Sequence, residues 1–566
     1  MNVYEERPWL KNYPQGVPAN INPDSYATVV EMLEESFQKY SNLPAFACMG
    51  KTLTFAQVDR LSKQFGAYLH ARGLEPGDKI ALMMPNLLQY PIALFGALRA
   101  GLVVVNTNPL YTPREMHHQF TDAGAKAIVI CENFAANLQK IMGDTEIKTV
   151  IVTSIGEMLG PIKGALVNFV VRHVKKMVPK WYIPNAVTFT DALRDGKKFL
   201  IKKFDNYPDD VILLQYTGGT TGVSKGAMLT NRNLVANMMQ MRAIMSPFLK
   251  EREEVALCPL PLYHIFAFTV NCLGLFSFGA LNVLITNPRE LKTILDAFKK
   301  YPITLMTGVN TLFNGLLHFE PFTSFGGFKL KVTIGGGMAV QRVVAERWQQ
   351  VTGCPLAEGY GMTEASPVVS CNPLDGTGKI GSIGLPVPST DLRVVNEQDQ
   401  IVPLGEVGEI QVKGPQVMLG YYNRPDETAK TIRDGWLCTG DIGKMDKDGY
   451  FYIVDRKKDM ILVSGFNVFP NEIEDVVAAH PKVLEVAAIG VPHEKSGEAV
   501  KIFVVKKDPS LSEQELMSYC RDNLTGYKVP KEVEFVDELP KSNVGKILRR
   551  ILRERELTKR QQHTAS

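Results

Sequence analysis

"KIALMMPN", residues 79–86, and "LVVVNTNP", residues 102–109, are short apolar runs on either side of a segment with helical patterning, Leu87 to Ala100. A third run, "AKAIVI" (125–130), follows after another helical stretch. Apolar strands that alternate with helices of this length predict βαβ units, in which parallel strands are buried between helices. The sequence therefore predicts an α/β fold, with a large N-terminal domain of parallel-type sheets covered by helices.

Two further sequence patterns follow along the chain. From about Gly381, short alternating strands ("DLRVVNEQ", "GEIQVKG", "GYFYIVD") separated by Gly/Pro turns predict a small β-rich part of the same domain. Residues 460–480 then pass from a strand through a turn into a helix, which indicates a small α+β domain. We expect a boundary at Arg456 to Lys458, with an N-terminal domain of residues 1–456 and a mobile C-terminal domain of residues 457–566.

Composition limits the classes of function. The 566 residues are 45% hydrophobic and 22% charged, which is typical of a well-cored protein of two or more domains. A formal charge of +4 argues against nucleic acid as a partner. The eight cysteines show no metal-ligand spacing and indicate buried thiols in a reducing compartment. The N-terminus, "MNVYEERPWL", has no apolar core of a secretory signal, so we expect a cytoplasmic location.

One segment is apolar enough to be weighed as a membrane span. No charged residue occurs from Val255 to Pro288, and Ile265 to Ile285 alone is long enough to cross a bilayer. Two prolines and His264 at its head, and polar residues and glycines within it, favour a buried helix and strand instead.

The stretch "QYTGGTTGVSKGAM", residues 215–228, follows an apolar run and has the composition of an anion-binding loop. Glycines let backbone amides approach an anion closely, while hydroxyls and Lys225 add donors and charge. It is not a Walker A loop, because Lys225 is followed by Gly226. The alternative is an ordinary polar loop. The candidate phosphate ligands are Thr217, Gly218, Gly219, Thr220, Thr221, Gly222, Ser224 and Lys225.

Three other segments carry chemistry that fits a nucleotide. "YGMTEASP" (360–367) places the aromatic Tyr360 four residues before Glu364, a carboxylate suited to Mg²⁺. "TGDIG" offers Asp441, whose two oxygens could accept both hydroxyls of a ribose, and "PKSNVGKILRR" presents Lys546 behind a glycine turn. Taken singly, these residues could be a polar loop, a turn aspartate and a solvated lysine.

Together these residues resemble the adenylate-forming superfamily, which includes acyl-CoA synthetases, firefly luciferases and peptide-synthetase adenylation domains. The resemblance covers essentially the whole chain, and residues 434–474 are similar to the signature of fatty acyl-CoA synthetases, most of all the bacterial long-chain fatty acid CoA ligases. It implies ATP-dependent activation of a long-chain fatty acid to acyl-CoA through acyl-AMP, with release of AMP and pyrophosphate. ATP and CoA would be co-substrates and Mg²⁺ the cofactor. The alternatives are transfer of the acyl group to a carrier protein, a medium-chain or aryl acid CoA ligase, or a protein that only binds membranes.

The resemblance also implies roles for single residues. Lys546 would bridge the carboxylate and the α-phosphate, Lys225 would assist the leaving pyrophosphate, and Glu364 would hold Mg²⁺. Tyr360 would stack on adenine, and Asp441 would bind the ribose. Further nucleotide contacts would be Gly335, Gly336, Gly337, Thr363 and Arg456.

For the acyl and CoA steps, the resemblance points to three further groups. "PLPLYHIFAF" (259–268) is similar to the acyl-pocket segment, with His264 near the carboxylate, or merely a hydrogen-bonded core histidine, and Phe268 as an aromatic gate. Lys458 would be the hinge of the C-terminal domain, although many family members have Asp there. The CoA passage would be lined by Ser464, Gly465 and Phe466.

The stretch "LVNFVVRHVKKM" predicts an amphipathic helix that lies at the cytoplasmic membrane surface as a peripheral contact. Its polar face would consist of Asn168, Arg172, Lys175 and Lys176. The same helix could instead pack on the protein core or at a homodimer contact.

Overall fold

The structure is a computed structural model that describes residues 3–217, 224–456, 458–464, 466–493, 496–542 and 545–564. The strands are β1 Pro44–Cys48, β2 Lys51–Thr54, β3 Lys79–Met83, β4 Val103–Asn106, β5 Ala125–Cys131, β6 Thr149–Thr153, β7 Val187–Thr188, β8 Val211–Thr217, β9 Lys225–Thr230, β10 Val255–Cys258, β11 Leu281–Leu284, β12 Leu305–Gly308, β13 Val332–Gly335, β14 Leu356–Gly361, β15 Val368–Cys371, β16 Leu385–Pro386, β17 Asp391–Val395, β18 Gly408–Lys413, β19 Gly420–Tyr421, β20 Ile432–Arg433, β21 Trp436–Met445, β22 Phe451–Arg456, β23 Ile461–Val463, β24 Phe466–Val468, β25 Val483–His493, β26 Gly497–Lys506 and β27 Glu532–Phe535.

The helices are α1 Val29–Lys39, α2 Phe55–Ala71, α3 Gln89–Arg99, α4 Pro113–Ala123, α5 Ala135–Gln139, α6 Pro161–Phe169, α7 Phe189–Gly196, α8 Asn231–Met245, α9 Ile265–Ala267, α10 Leu291–Lys300, α11 Asn310–Leu317, α12 Glu320–Thr323, α13 Arg342–Thr352, α14 Pro425–Thr431, α15 Pro470–Ala478, α16 Glu513–Asn523 and α17 Arg549–Thr564. Two of them continue as π-helical turns, α6 through Val170–Val174 and α9 through Phe268–Leu275.

Two large sheets form the N-terminal domain. One has the order β19-β9-β8-β4-β3-β5-β6-β7, and the other β16-β15-β14-β13-β12-β10-β11-β1-β2. Their central strands are parallel, as β3 pairs with β4 and β5, and β13 with β12 and β14. The predicted βαβ units of an α/β fold are confirmed, because apolar strands of four to seven residues alternate with helices that cover them.

Two smaller sheets follow in chain order. An antiparallel sheet, β17-β18-β21-β20 with β22 beside β21, is the expected β-rich part. The sheet β24-β23-β26-β25, with β27 beside β26, carries α15, α16 and α17 and makes the small α+β unit. Helix α15 begins at Pro470, whose fixed φ suits the first turn of a helix.

The long apolar segment lies in the core. β10, α9 with its π-helical turn, and β11 account for it, and each residue of Phe268–Leu275 is buried. Phe276 stacks among Phe46, Phe55 and Phe95 at ring-centroid distances of 4.5 to 5.8 Å. Within the described part of the chain, no helix is long and apolar enough to cross a membrane. All eight cysteines are free thiols, and seven of them are buried.

Candidate active site

A cavity of about 740 Å³ opens where the carboxyl ends of β13 and β14 meet the antiparallel sheet and the C-terminal domain. Open parallel sheets bind ligands at this edge. Most of the described residues that the sequence assigned to the nucleotide line it: Thr217, Lys225, Gly336, Gly337, Tyr360, Thr363, Glu364, Asp441, Arg456 and Lys546. The predicted hinge residue Lys458 lines it as well. Residues that are more than 300 positions apart in the chain therefore meet in one place.

The ends of the predicted phosphate loop are held by a β-hairpin. Thr217 at the end of β8 is directly opposite Lys225 at the start of β9, and both line the cavity. Ser224 donates its hydroxyl to the Thr217 carbonyl at 2.7 Å and lines a second, neighbouring cavity of about 1160 Å³. Gly218, Gly219, Thr220, Thr221 and Gly222 lie outside the described residues.

Asp441 and Arg456 are cross-strand partners on β21 and β22. The Arg456 Nε lies 3.3 Å from Asp441 Oδ1, and the Tyr360 hydroxyl donates to Asp441 Oδ2 at 2.5 Å. Each carboxylate oxygen has a further lone pair, so Asp441 can accept from a diol without losing these partners. Burial and the adjacent Asp441 raise the pKa of Tyr360 well above its usual value, so its ring stays neutral.

Glu364 is buried and lines the cavity together with Tyr421. Its Oε1 accepts a hydrogen bond from the hydroxyl of Tyr421 at 2.7 Å. No cluster of three or more potential metal ligands occurs among the described residues. A single carboxylate is nevertheless compatible with Mg²⁺, which commonly takes one or two carboxylates together with substrate phosphate oxygens.

Lys546 reaches the cavity from the C-terminal domain. Its backbone N–H donates to Ser542 Oγ at 3.1 Å, and Ser542 N–H donates to its carbonyl at 2.7 Å. Gly545 precedes it with φ of +81°, and a Cβ there would approach Thr311 Oγ1 at 2.7 Å. Burial and the charge of Arg456 lower the pKa of the Lys546 amine to about 7. A lysine in this state gains its proton most readily when an anion binds beside it.

His264 lines the same cavity and is neutral. Burial and Lys546 lower its pKa to about 4, and its Nδ1 accepts from the Phe266 N–H at 3.3 Å. Its neighbour Phe266 also faces the cavity. Phe268, by contrast, is 1% exposed and belongs to the hydrophobic core, so it does not line the cavity in this arrangement. Gly335 is likewise buried at the end of β13 and does not itself line the cavity, although its neighbours Ile334 and Gly336 do.

Of the candidate CoA residues, Ser464 and Phe466 lie outside both cavities. Ser464 is exposed, and Phe466 is 56% exposed and stacks on Tyr527 at 4.8 Å. Gly465 is outside the described residues. The C-terminal domain is held in the present orientation by Thr311, which donates to the Gly545 carbonyl at 2.8 Å, and by Asn314, which donates to the Leu484 carbonyl at 3.0 Å.

The structure adds residues that sequence reasoning missed. Lys430 and Arg433 line the cavity, which makes six cationic side chains against three carboxylates among its described lining residues. Glu427 pairs with Lys225 at 2.8 Å. These residues lie about 200 positions after Lys225, in "RPDETAKTIRDGW", where their spacing gives no sign of phosphate binding.

The comparisons with known proteins agree with this geometry. Residues 33–422 match the family model described as AMP-binding enzyme, and residues 472–546 match the C-terminal domain of that family. The chain therefore belongs to the AMP-binding enzyme family. Within this family, relatives that are 52–57% identical over nearly the whole chain place it among the long-chain-fatty-acid–CoA ligases.

The ligase of Escherichia coli O6:H1 is 57% identical over 547 residues, which cover 96% of this chain and 98% of that protein. The ligase of Yersinia pestis is 56% identical over 98% of both chains. Among solved structures, an anthranilate CoA ligase in complex with anthranoyl-AMP has a TM-score of 0.85 and covers 95% of this chain and 100% of its own. Its identity is 24%, so this likeness bears on the fold alone.

Proposed function

We propose that this protein joins a long-chain fatty acid to CoA, with ATP converted to AMP and pyrophosphate, and that acyl-AMP is the intermediate. The observation that carries the proposal is the entry of Lys546 into a cavity that also contains Lys225, Glu364 and Asp441. The identity to long-chain-fatty-acid–CoA ligases across nearly the full chain supports the choice of substrate.

The first step joins two anions. A carboxylate oxygen attacks the α-phosphorus of ATP, the bond to the β-phosphate oxygen breaks, and pyrophosphate leaves. Lys546 would neutralise the approaching carboxylate and the α-phosphate, while Lys225 would take charge that develops on the leaving pyrophosphate. Such positioned charges typically contribute about 10²–10³ in rate. Asp441 and Tyr360 would fix the ribose and the adenine.

Mg²⁺ is the cofactor we propose, with Glu364 as its protein ligand beside the phosphates. When bound, the ion neutralises phosphate charge and orients the triphosphate. Tyr421 keeps the carboxylate of Glu364 in place through its hydroxyl.

The acyl chain would occupy the apolar side of the cavity. Met241, Leu260, Ile265, Phe266 and Ile334 line this side. The segment from Val255 to Pro288 contains no carboxylate, so the ammonium group of an amino acid substrate would be left unpaired. Neutral His264 is adjacent to Lys546 and would lie over the substrate carboxylate. We retain Phe268 as a gate that would act only after movement of the π-helical turn.

For the second step, the thiol of CoA attacks the acyl carbonyl and AMP leaves, so Lys546 must withdraw. We propose that residues 457–566 pivot about Lys458 as one domain and bring Ser464, Gly465 and Phe466 to the cavity. Hinges of this kind are element-terminal positions that absorb the change in φ/ψ. Lys458 lies two residues after the end of β22 and lines the cavity, which suits this role.

We also propose peripheral membrane association through α6 and its π-helical turn. The apolar side chains Ile162, Leu166, Phe169, Val174 and Met177 are 51–86% exposed, and they lie among the exposed Lys163, Lys175, Lys176 and Lys180. An exposed apolar surface flanked by lysines is suited to an anionic bilayer. A contact between two copies of the chain is the alternative, and light scattering separates it from membrane binding.

The function is tested with purified protein, oleate, ATP and CoA. We expect oleate-dependent exchange of pyrophosphate into ATP and formation of oleoyl-CoA. Parallel reactions with octanoate and benzoate test the medium-chain and aryl alternatives. Acyl-AMP that accumulates without oleoyl-CoA would instead indicate transfer to a carrier protein.

A further inference from the structure

Helix α14 places a carboxylate against the phosphate end of the cavity. Glu427 Oε2 accepts from Lys225 Nζ at 2.8 Å, and Glu427 Oε1 accepts from Lys430 Nζ at 3.0 Å. Both lysines line the cavity, whereas Glu427 does not. One carboxylate outside the cavity therefore bridges two cations that face into it.

This network fixes the position of Lys225. Its ammonium group lies 4.6 Å from the ring centroid of Tyr421, the same residue that holds Glu364. The side chains of Lys225 and Glu427 are 21% and 36% exposed, so water screens the pair only in part. Hydrogen bonds from Lys225 and Lys430 lower the pKa of Glu427 to about 2, and the carboxylate stays ionised at neutral pH.

We propose that Glu427 competes with pyrophosphate for Lys225 and Lys430, and thereby sets how tightly the leaving product is held. This inference rests on the phosphate-binding role proposed for Lys225. Lys225 and Lys430 attract the product as well as the transition state, and tight binding of the product slows its release. A carboxylate beside the two lysines weakens their attraction for pyrophosphate. As pyrophosphate departs, the carboxylate pairs with both lysines again.

The test is equilibrium binding of inorganic pyrophosphate to the full-length protein, measured by calorimetry in buffer with Mg²⁺. Glu427→Gln should tighten binding by about two- to fivefold, the range expected for a partly exposed ion pair. The inhibition constant of pyrophosphate in oleoyl-CoA formation should fall by a similar factor. Both gains should shrink at high salt.

Asp426→Asn is the matched control. It removes the same charge from the same turn of α14, and Asp426 is exposed. Its pyrophosphate binding should change much less than that of Glu427→Gln, because Asp426 acts on Lys430 only through its charge. Glu427→Asp, which keeps the charge on a shorter side chain, should give an intermediate constant. In the Lys225→Met background, Glu427→Gln should tighten pyrophosphate binding less than it does in the wild type. Only Lys430 is then left to be freed from its ion pair with Glu427.

The outcomes separate this inference from the proposed function. If Lys225→Met does not weaken pyrophosphate binding, the phosphate role of Lys225 is wrong. If Lys225→Met weakens binding but Glu427→Gln leaves it unchanged or weaker, the role of Glu427 alone is overturned. Tighter binding in Glu427→Gln cannot result from damage to the fold.

Discussion

At the scale of single residues, the first step that we propose depends on whether Lys546 carries its proton. Burial lowers the pKa of Lys546 most, and the positive charges of Arg456, Lys458 and Arg549 lower it further. The carboxylate of Asp441 raises it. The resulting pKa of about 7 is below the usual value of lysine, so the neutral amine predominates above neutral pH in the free protein. Only the protonated form can neutralise the carboxylate and the phosphate.

We therefore expect kcat/KM for ATP in the adenylation step to fall as the pH rises above about 7, because kcat/KM reports the ionisation of the free enzyme. The Lys546→Arg variant should be slower, but its kcat/KM should not fall above this pH, because its guanidinium stays charged. The measurement is oleate-dependent pyrophosphate exchange from pH 6 to 9, a range that spans about one unit below to two above this pKa. If kcat/KM of Lys546→Arg falls with pH as it does in the wild type, the ionisation belongs to another group.

How far the site could be predicted also differs residue by residue. Lys225, Glu364, Asp441 and Lys546 belong to short segments in which the required chemistry is local, so the sequence identified them as candidates that the structure brings together. Glu427 could not be foreseen, because its partner is 202 positions away and only the pairing of β9 with β19 brings α14 beside it.

At the scale of elements, the strands and helices of the βαβ units were predictable because their periodicity is local. The π-helical turns were not, since no residue pattern marks where an α-helix takes an extra residue. Nor did the amphipathic pattern predict which side chains of residues 166–177 bind to the protein. Asn168 binds Ser154 and the Gly156 N–H, both at 2.8 Å, and Arg172 pairs with the buried Glu132 at 2.9 Å.

The physical reason is that hydrophobic periodicity defines a polar and an apolar face of a helix, but not what each face contacts. The loops after β5 and β6 offer polar partners to Asn168 and Arg172, so these two side chains face the protein. Of the predicted polar face, Lys175 and Lys176 are exposed beside the apolar residues, and Arg172 remains 45% exposed despite its ion pair. A variant that reverses the charge at Arg172 would therefore break its ion pair with Glu132 as well as change the charge of the surface.

The membrane proposal is better tested on the apolar side chains of α6. Leu166→Ser with Phe169→Ser should lower sedimentation with anionic vesicles more than tenfold, since a fully buried side chain of this size contributes about 1.5–3 kcal/mol. Oleoyl-CoA formation from detergent-dispersed oleate should not change. The control is Leu404→Ser with Val407→Ser, which alters side chains of 42% and 45% exposure in the loop between β17 and β18.

Equal sedimentation of the Leu166/Phe169 double variant and the wild type would remove α6 as the membrane contact. If that variant instead changes the molecular mass in light scattering, the surface joins two copies of the chain.

At the scale of the whole molecule, we propose that the orientation of the two domains decides which step can occur. Lys546 lies in the cavity while Ser464 and Phe466 lie outside it, an arrangement suited to adenylation. Besides Thr311 and Asn314, Asp455 holds this orientation: it is fully buried and accepts from the Asn471 N–H at 2.9 Å. Sequence motifs could indicate two domains but not their orientation, which depends on long-range contacts such as this one.

Lys546→Ala should therefore affect the two half-reactions differently. We expect adenylation of oleate to fall by about 10²–10³, the range for removal of a positioned charge. Oleoyl-CoA formation from supplied oleoyl-AMP should persist, because Lys546 is needed only in the first orientation. The two half-reactions are measured separately, and an equal loss in both would contradict the two-orientation account.

The most direct test of the central claim follows the carboxylate oxygen. Oleate labelled with oxygen-18 in its carboxylate is incubated with ATP, CoA and the protein, and the nucleotide product is analysed by mass spectrometry. If the carboxylate attacks the α-phosphorus and AMP then leaves, the products are oleoyl-CoA, pyrophosphate and AMP that carries one labelled oxygen. Unlabelled AMP, or formation of ADP and phosphate, would contradict an acyl-AMP intermediate at this site.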